Sequence, residues 1–396
     1  MSRGRTARLA DLVRFVGGGT PTRNNPDYYG GEIPWVTPKD MKSWDIDSAQ
    51  VNITEAGLAG SAARIVPAGS VLVVVRSGVL KHTLPVGVSR VPVAINQDIK
   101  AVLCGSEVYP DYLARLLKAS SSLILSWVRA TTADNLPVEK LKDMRILLPS
   151  IEEQRRIAEV LDRADRLHAK RREALAHLDE LGQSIFVDMF GNPAVNPKSW
   201  PVAPLATLFD RPPIYGTMIP ASSTIGGWLC LRVANIQEWA LDLSDRKYVD
   251  LEDRALERHV VRNGDVLLAR AIASQEHLGK AIVARPGSDR WAFDSHLMRL
   301  SFDARRADPE YIRALFMSPG GRSLFLRVTR RSSVQYNINT KEISALRLPV
   351  PPLVRQKEFA HRIHAIDDIR TAHRTHLAEL DALFGSLQDR AFRGLL

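Results

Sequence analysis

The chain has little cysteine: two in 396 residues, Cys104 and Cys230, far apart and without the spacing of metal ligands. That excludes a disulfide framework and a zinc knuckle and fits a reducing compartment. Long apolar runs are missing too. The longest aliphatic stretch, Val71 to Val75, is far short of the roughly 20 residues a membrane span needs, and Met1 to Val16 holds basic residues but no apolar leader core. The expectation is a cytoplasmic chain, neither exported nor inserted. Nor is there a dense Lys/Arg tract, although Lys and Arg outnumber Asp and Glu by 54 to 44, a formal net charge of +10. Such an excess makes a polyanion, nucleic acid above all, the first partner to consider, with plain solubility and an acidic protein partner as alternatives.

Catalytic constellations are equally scarce. Phe15-Val16-Gly17-Gly18-Gly19 has the spacing of a methyltransferase glycine loop, but no strongly β-like run precedes it and no Asn-Pro-Pro-aromatic motif follows anywhere. Asn192-Pro193-Ala194 lacks the second proline and reads as a helix stop and linker. Leu278-Gly279-Lys280-Ala281 lacks the first glycine and the hydroxyl residue of a phosphate-binding P-loop. His373 and His376 have the spacing of a helical metal pair, yet no carboxylate completes the set, and a solvated face is the plainer reading. No catalytic residue, metal or cofactor is expected in this chain.

What is present is the composition of an ordinary globular protein, 45% hydrophobic and 25% charged, in a length suited to two or three domains. It also contains a repeat. Leu148-Pro149-Ser150-Ile151-Glu152-Glu153-Gln154-Arg155-Arg156-Ile157-Ala158 returns loosely as Val350-Pro351-Pro352-Leu353-Val354-Arg355-Gln356-Lys357-Glu358-Phe359-Ala360, an offset of 202 (356 − 154). Leu161, Asp165, Leu175, Leu178, Ser184 and Phe190 keep that offset to Ile363, Asp367, Leu377, Leu380, Ser386 and Phe392. Upstream, Gly69-Ser70-Val71-Leu72 matches Gly264-Asp265-Val266-Leu267 at an offset of 195 (264 − 69), so insertions separate the copies. Each copy reads as a divergent globular unit followed by a better preserved helix. The globular units read as mixed α/β, with strands at Val71 to Val75 and Asp265 to Leu268 and short helices at Pro110 to Lys118 and Pro309 to Met317.

Beyond Pro149, Glu152 and Glu153 suit the first turn of a helix, and no Pro or Gly interrupts until Gly182. Every third and fourth position gives Ile157, Leu161, Ala164, His168, Arg171, Leu175, Leu178, Gly182 and Ile185. In the second copy the same rule gives Phe359, Ile363, Ile366, Arg370, His373, Leu377, Leu380, Phe384 and Leu387. Both seams are apolar at their ends and polar in the middle. Paired antiparallel, they would bring His168 and Arg171 near Arg370 and His373, a basic layer that sets register or receives acidic groups of a partner, unless these side chains snorkel to solvent. A helix from Ile151 to Phe190 would span roughly 60 Å at about 1.5 Å per residue, a ruler between two globular units. The fold class expected is α+β: two mixed α/β domains separated by two long helices that form an antiparallel coiled coil, with a pseudo-two-fold internal repeat. Its boundaries are 1–149, 150–191, 192–350 and 351–396.

In its order of motifs the chain resembles the specificity subunits of type I restriction-modification systems. The carriers are Gly19-Thr20-Pro21, Ile33-Pro34-Trp35, Asp40-Met41, Gly69-Ser70-Val71-Leu72, Asn96-Gln97-Asp98 and Leu148-Pro149 with Glu153-Gln154 and Ile157-Ala158, an order repeated after a long helix. The resemblance implies two target-recognition domains, each reading half of a split DNA site, and helices that recruit two methyltransferase subunits and, through them, a restriction subunit. S-adenosylmethionine, ATP and Mg would then belong to the partners, and this chain would be non-catalytic. Arg355 in place of a Glu before Gln356, and Phe293-Asp294-Ser295-His296 in place of Asn96-Gln97-Asp98, depart from the pattern.

In such domains Arg and Lys suit phosphates and guanine edges, and Asn and Gln suit adenine edges. The candidates for DNA contact are Arg76, Lys81, His82, Arg90, Thr131 and Thr132 in the first unit. In the second they are Arg270, Lys280, Arg330, Arg331, Gln335 and Tyr336. Ordinary exposed basic residues and a packed tyrosine are the bland alternative. Trp35, Trp228 and Trp239 read as core or interface residues. Two rival functions stay open: a protein-binding scaffold with paired helices, and a stand-alone DNA-modifying enzyme.

Overall fold

The computed structural model describes residues 5–128, 134–224, 226–237, 241–252, 258–272, 277–331 and 336–392, with Arg330 and Arg331 as backbone only. Thr131, Thr132, Gln335 and Trp239 lie outside the described residues. The chain divides into two compact units, Met1–Lys170 with His376–Leu396, and Arg171–Thr375. Each unit therefore takes half of each long helix.

The first unit is built on the sheet order Val13–Gly17, Ile99–Cys104, Val71–Val74, Val86–Ser89, Asp45–Ile46. The run expected as a strand at Val71 to Val75 is its centre, and all four residues of Val71–Val74 are inaccessible, as a strand covered on both faces requires. A second sheet orders Asn52–Ile53, Tyr29–Val36, Val93–Ile95 and Arg64–Val66. Against the first sheet packs the helix Pro110–Ala119, started by Pro110 and burying Tyr112, Leu113, Leu116 and Leu117. Gly18 permits the closest approach in this unit, since a Cβ there would stand 1.8 Å from the Ile95 carbonyl oxygen. The glycine run thus seats a loop against a strand.

The second unit repeats the plan. Its main sheet orders Phe209–Tyr215, Leu297–Phe302, Val266–Ala269 and Ala281–Val283. Beside it lie Tyr248–Val249, Trp228–Leu231 and Trp291–Phe293, and a small sheet of Ala271–Ile272, Tyr336–Asn337 and Arg330–Arg331. The helix Pro309–Met317 matches the range expected from the sequence and is buried from Glu310 to Met317.

Both long helices are 40 residues, Ile151–Phe190 and Leu353–Phe392. Ser150 caps the first, its hydroxyl accepting from the Glu153 N–H at 3.3 Å, and Gly191 ends it in the left-handed region at φ 78°. Within the first unit Ile157 and Leu161 enter the core together with Ala391, Phe384 and Leu387, while Leu377 and Leu380 are half-buried. Within the second, Phe186 and Phe190 meet Phe359 with ring centroids 5.7 and 5.5 Å apart. Ile363 and Ile366 are buried there and Leu175 and Leu178 half-buried. In each unit the two halves run antiparallel.

The polar middle differs from the expected basic layer. Arg171 and His373, equivalent to each other in the repeat, do touch at 3.4 Å. But Arg370 meets Asp179 at 3.0 Å in the second unit, and His168 stands 3.5 Å from Asp381 and against the Phe384 ring in the first. Asp179 and Asp381 are themselves related by the offset of 202. Carboxylates that the seam rule left out, because they flank it, stand beside both buried side chains, and Asp179 offsets the cost of burying the Arg370 charge.

Candidate nucleic-acid interface

At one end of each main sheet, the loops that leave adjacent strands converge. In the first unit Arg76 follows Val71–Val74 and forms a bridge to Asn135, and its Nε meets the Asp98 carboxylate at 2.6 Å. Asn96, nearly buried, donates to that carboxylate at 3.0 Å, so the Asn96-Gln97-Asp98 turn holds the arginine in place. Gln97 is left pointing outward, and its amide oxygen accepts from the Thr20 hydroxyl at 2.5 Å. Lys81 and His82 are exposed at the same end, Lys81 at 3.9 Å from the nearly buried Asp134.

Arg90 does not join them. It stands past the other end of Val86–Ser89, where its guanidinium binds Asp111 and Asp45, both at 2.6 Å, and the Asp111 hydrogen bond holds its pKa above the ordinary arginine value. Its repeat equivalent Arg285 binds Glu310 at 2.5 Å in the same way. These pairs fasten the short helix of each unit.

In the second unit the corresponding end collects Arg270, Lys280, Tyr336 and the backbone of Arg330 and Arg331. Ala269 donates to the Lys280 carbonyl at 2.9 Å, Ala271–Ile272 pairs with Tyr336–Asn337, and that strand pairs with Arg330–Arg331. Arg270 lies over the Tyr215 ring at 4.3 Å and donates to the Ser295 carbonyl at 2.9 Å. Gly216 seats the neighbouring loop, since a Cβ there would stand 2.2 Å from the Phe293 and Asp294 carbonyl oxygens. At the tip of that loop Met218 is 87% exposed. Thr20, Gln97, Tyr215, Met218 and His296 were not among the sequence candidates. The signal was available: Thr20 and Gln97 sit inside motifs already singled out, and His296 occupies the place of Asp98. Trp35, by contrast, is a core residue whose indole N–H donates to the Gly19 carbonyl at 3.0 Å.

Residues 4–177 match the family described as Type I restriction modification DNA specificity domain. Over that stretch, less than half of its length, the chain is similar to that specificity family. Among its relatives is the EcoR124I/EcoR124II specificity subunit of Escherichia coli, 35% identical over 178 residues, 44% of each chain. The MjaIX specificity subunit of Methanocaldococcus jannaschii is 29% identical over 191 residues, 46% of this chain and 43% of that one. The aligned stretch thus spans less than half the length of these curated relatives. A solved chain of a type I R-M system, described for its complex assembly and conformational transition, covers 100% of this chain and 99% of its own at a TM-score of 0.60 and 18% identity. That likeness shows a shared fold over both units. No described helix is long and apolar enough to cross a membrane.

Proposed function

We infer that this chain is a non-catalytic, sequence-specific DNA-binding subunit that recognises a bipartite target and directs methyltransferase and restriction subunits to it. The observation that carries the reading is the sheet-end corner, which occurs twice on one backbone frame but is lined by different side chains. Thr20, Gln97 and Arg76 line it in one copy; Met218, Arg270, Tyr215 and Tyr336 line it in the other. A frame kept while its lining diverges suits two sites that read two different half-sites. In domain terms the recognition units are 1–149 and 192–350, and the spacer helices are 150–191 and 351–396. Lys81, His82 and Lys280 supply phosphate contacts in this reading, Arg330, Arg331, Thr131, Thr132 and Gln335 are further candidates by sequence alone, and Arg90 holds the fold.

Two methyltransferase subunits are the proposed partners of the long helices, with a restriction subunit recruited through them in the cytoplasm. S-adenosylmethionine, ATP and Mg are assigned to those partners. Leu167 and Ile369, an equivalent pair in the repeat, are 46% and 49% exposed, and Leu181 and Leu383, another such pair, are 45% and 54% exposed. Outward aliphatic side chains at repeat-equivalent positions suit helices of a partner. Mapping adenine methylation in the source cell before and after deletion of this gene tests the function. Loss of one split motif with a constant spacer is expected. An unchanged methylome, together with no methyltransferase co-purifying with the tagged chain, would overturn the reading.

A further inference from the structure

The two sheet-end corners differ most in electrostatics. Strand registers set the equivalences: Val74 pairs with Ile99 in the first unit and Ala269 with Leu297 in the second. The residue after each strand is therefore Val75 in one copy and Arg270 in the other. Likewise Gly17 faces Lys100 while Tyr215 faces Met298, so Tyr215 stands where the first copy has Gly17. The Arg270–Tyr215 stack, with its centroid distance of 4.3 Å, has replaced a buried valine and a glycine. It is an addition of the second unit.

The first unit does carry an arginine at this end, one position later. Its charge, however, is matched by Asp98 at 2.6 Å. The equivalent of Asp98 in the second unit is His296, whose side chain is 63% exposed. Among the described residues no carboxylate pairs with Arg270; its partners are the Ser295 carbonyl and the Tyr215 ring. A guanidinium held half-buried on an aromatic face keeps its charge less screened than a solvated one, and it is already oriented, so less side-chain freedom is lost when it binds.

We propose that Arg270, stacked on Tyr215, is a charge-bearing DNA contact at the sheet-end corner of the second recognition unit, whereas the Arg76–Asp98 corner of the first unit contributes no net charge to binding. The two corners, apart from the lysines around them, thus hold the target by unequal means: hydrogen bonding from Gln97 and Thr20 in one, a cation in the other. What Arg270 meets is a pair of acceptor atoms, on a guanine edge or a phosphate.

This rests on the DNA reading above. The test uses the full chain purified with its co-expressed methyltransferase subunits and a duplex carrying the motif that methylation mapping identifies. Affinity is measured between about 50 and 200 mM salt. Arg270→Gln is expected to lower the slope of log affinity against log salt by about 1, so that affinity falls roughly three- to fourfold less across that range. Arg270→Lys keeps the slope, which separates charge from misfolding. The neutral double variant Arg76→Gln/Asp98→Asn leaves the slope unchanged, and Asp98→Asn alone, which frees Arg76, raises it by about 1. A double variant that lowers the slope as Arg270→Gln does, or an Arg270→Gln complex with the parental slope, overturns the proposal. The two sources also separate: relaxation of one position in the methylated motif of Arg270→Gln marks a base edge, and uniform weakening marks a phosphate. If the parental complex binds duplex without salt dependence, the DNA reading itself is what fails.

Discussion

Gln154 and Gln356 are both fully buried, and each spends its amide on two segments at once. Gln154 donates to the Glu107 and Pro149 carbonyls at 2.8 and 3.0 Å and accepts from the Tyr109 N–H at 2.8 Å. Gln356 donates to Pro351 at 2.7 Å and accepts from Asp308 at 2.9 Å. In both units this ties the first turn of a long helix to the loop before the short helix. A leucine of similar size would leave two carbonyls and an N–H unpaired in the first unit, so Gln154→Leu is expected to cost roughly 2–4 kcal/mol, read as an earlier urea transition of that unit. Glu310 provides a pH test. Burial works against its ionisation, but Arg313, His364 and Arg285 outweigh that and lower its pKa from 4.5 to about 2. The folded state thus binds this proton less readily than the unfolded one. Its stabilising contribution is present above about pH 4.5 and lost as pH falls toward about 2. Glu310→Gln should therefore weaken the second unit at neutral pH and shrink the gap between neutral and about pH 3 in urea midpoints. An unchanged gap would show that the Glu310 cluster adds nothing.

At the scale of elements, the long helices were the most legible part. Their apolar seam, proline start and lack of interruption placed Ile151 to Phe190 residue for residue, and the seam positions are the less exposed ones along both helices. What the seam rule missed was neutralisation, because Asp179 and Asp381 flank the stripe and reveal themselves only when the partner half is beside them. The sheet-end corner proposed for recognition was legible in part for a similar reason. Arg76, Lys81 and Arg270 were chosen because they follow strands, and the structure places them at the same end of their sheets. Arg90 follows a strand as well, but at the opposite end of the sheet, and which end a loop occupies depends on pairing order. The outward aliphatic side chains give the element-scale prediction: Leu167→Ser with Ile369→Ser should leave the folded chain intact by circular dichroism and reduce methyltransferase co-purification by about tenfold or more, as expected for two buried aliphatic contacts of roughly 1–2 kcal/mol each. Undiminished recovery would move the docking face elsewhere.

Taken whole, the chain is a duplicated plan in which the repeat offset predicts contacts as well as sequence. The Tyr112 hydroxyl donates to the Leu147 carbonyl and that of Tyr311 to Pro349, both at 2.8 Å. Arg115 reaches Asp165 at 2.6 Å, and Arg313, one position earlier in its helix, approaches the equivalent Asp367 at 4.0 Å. Duplication preserved the fastenings and released the corners. One further consequence concerns the order in which the protein is made. The core of the first unit includes Ala391, with Phe384, Leu387 and Phe392 packed against it and the Phe392 ring 5.6 Å from that of Tyr112. A ribosome has therefore synthesised the whole second unit before it delivers the residues that close the first. Until then the first unit waits with an uncovered apolar seam along Ile157 and Leu161, and the domain begun first is completed last.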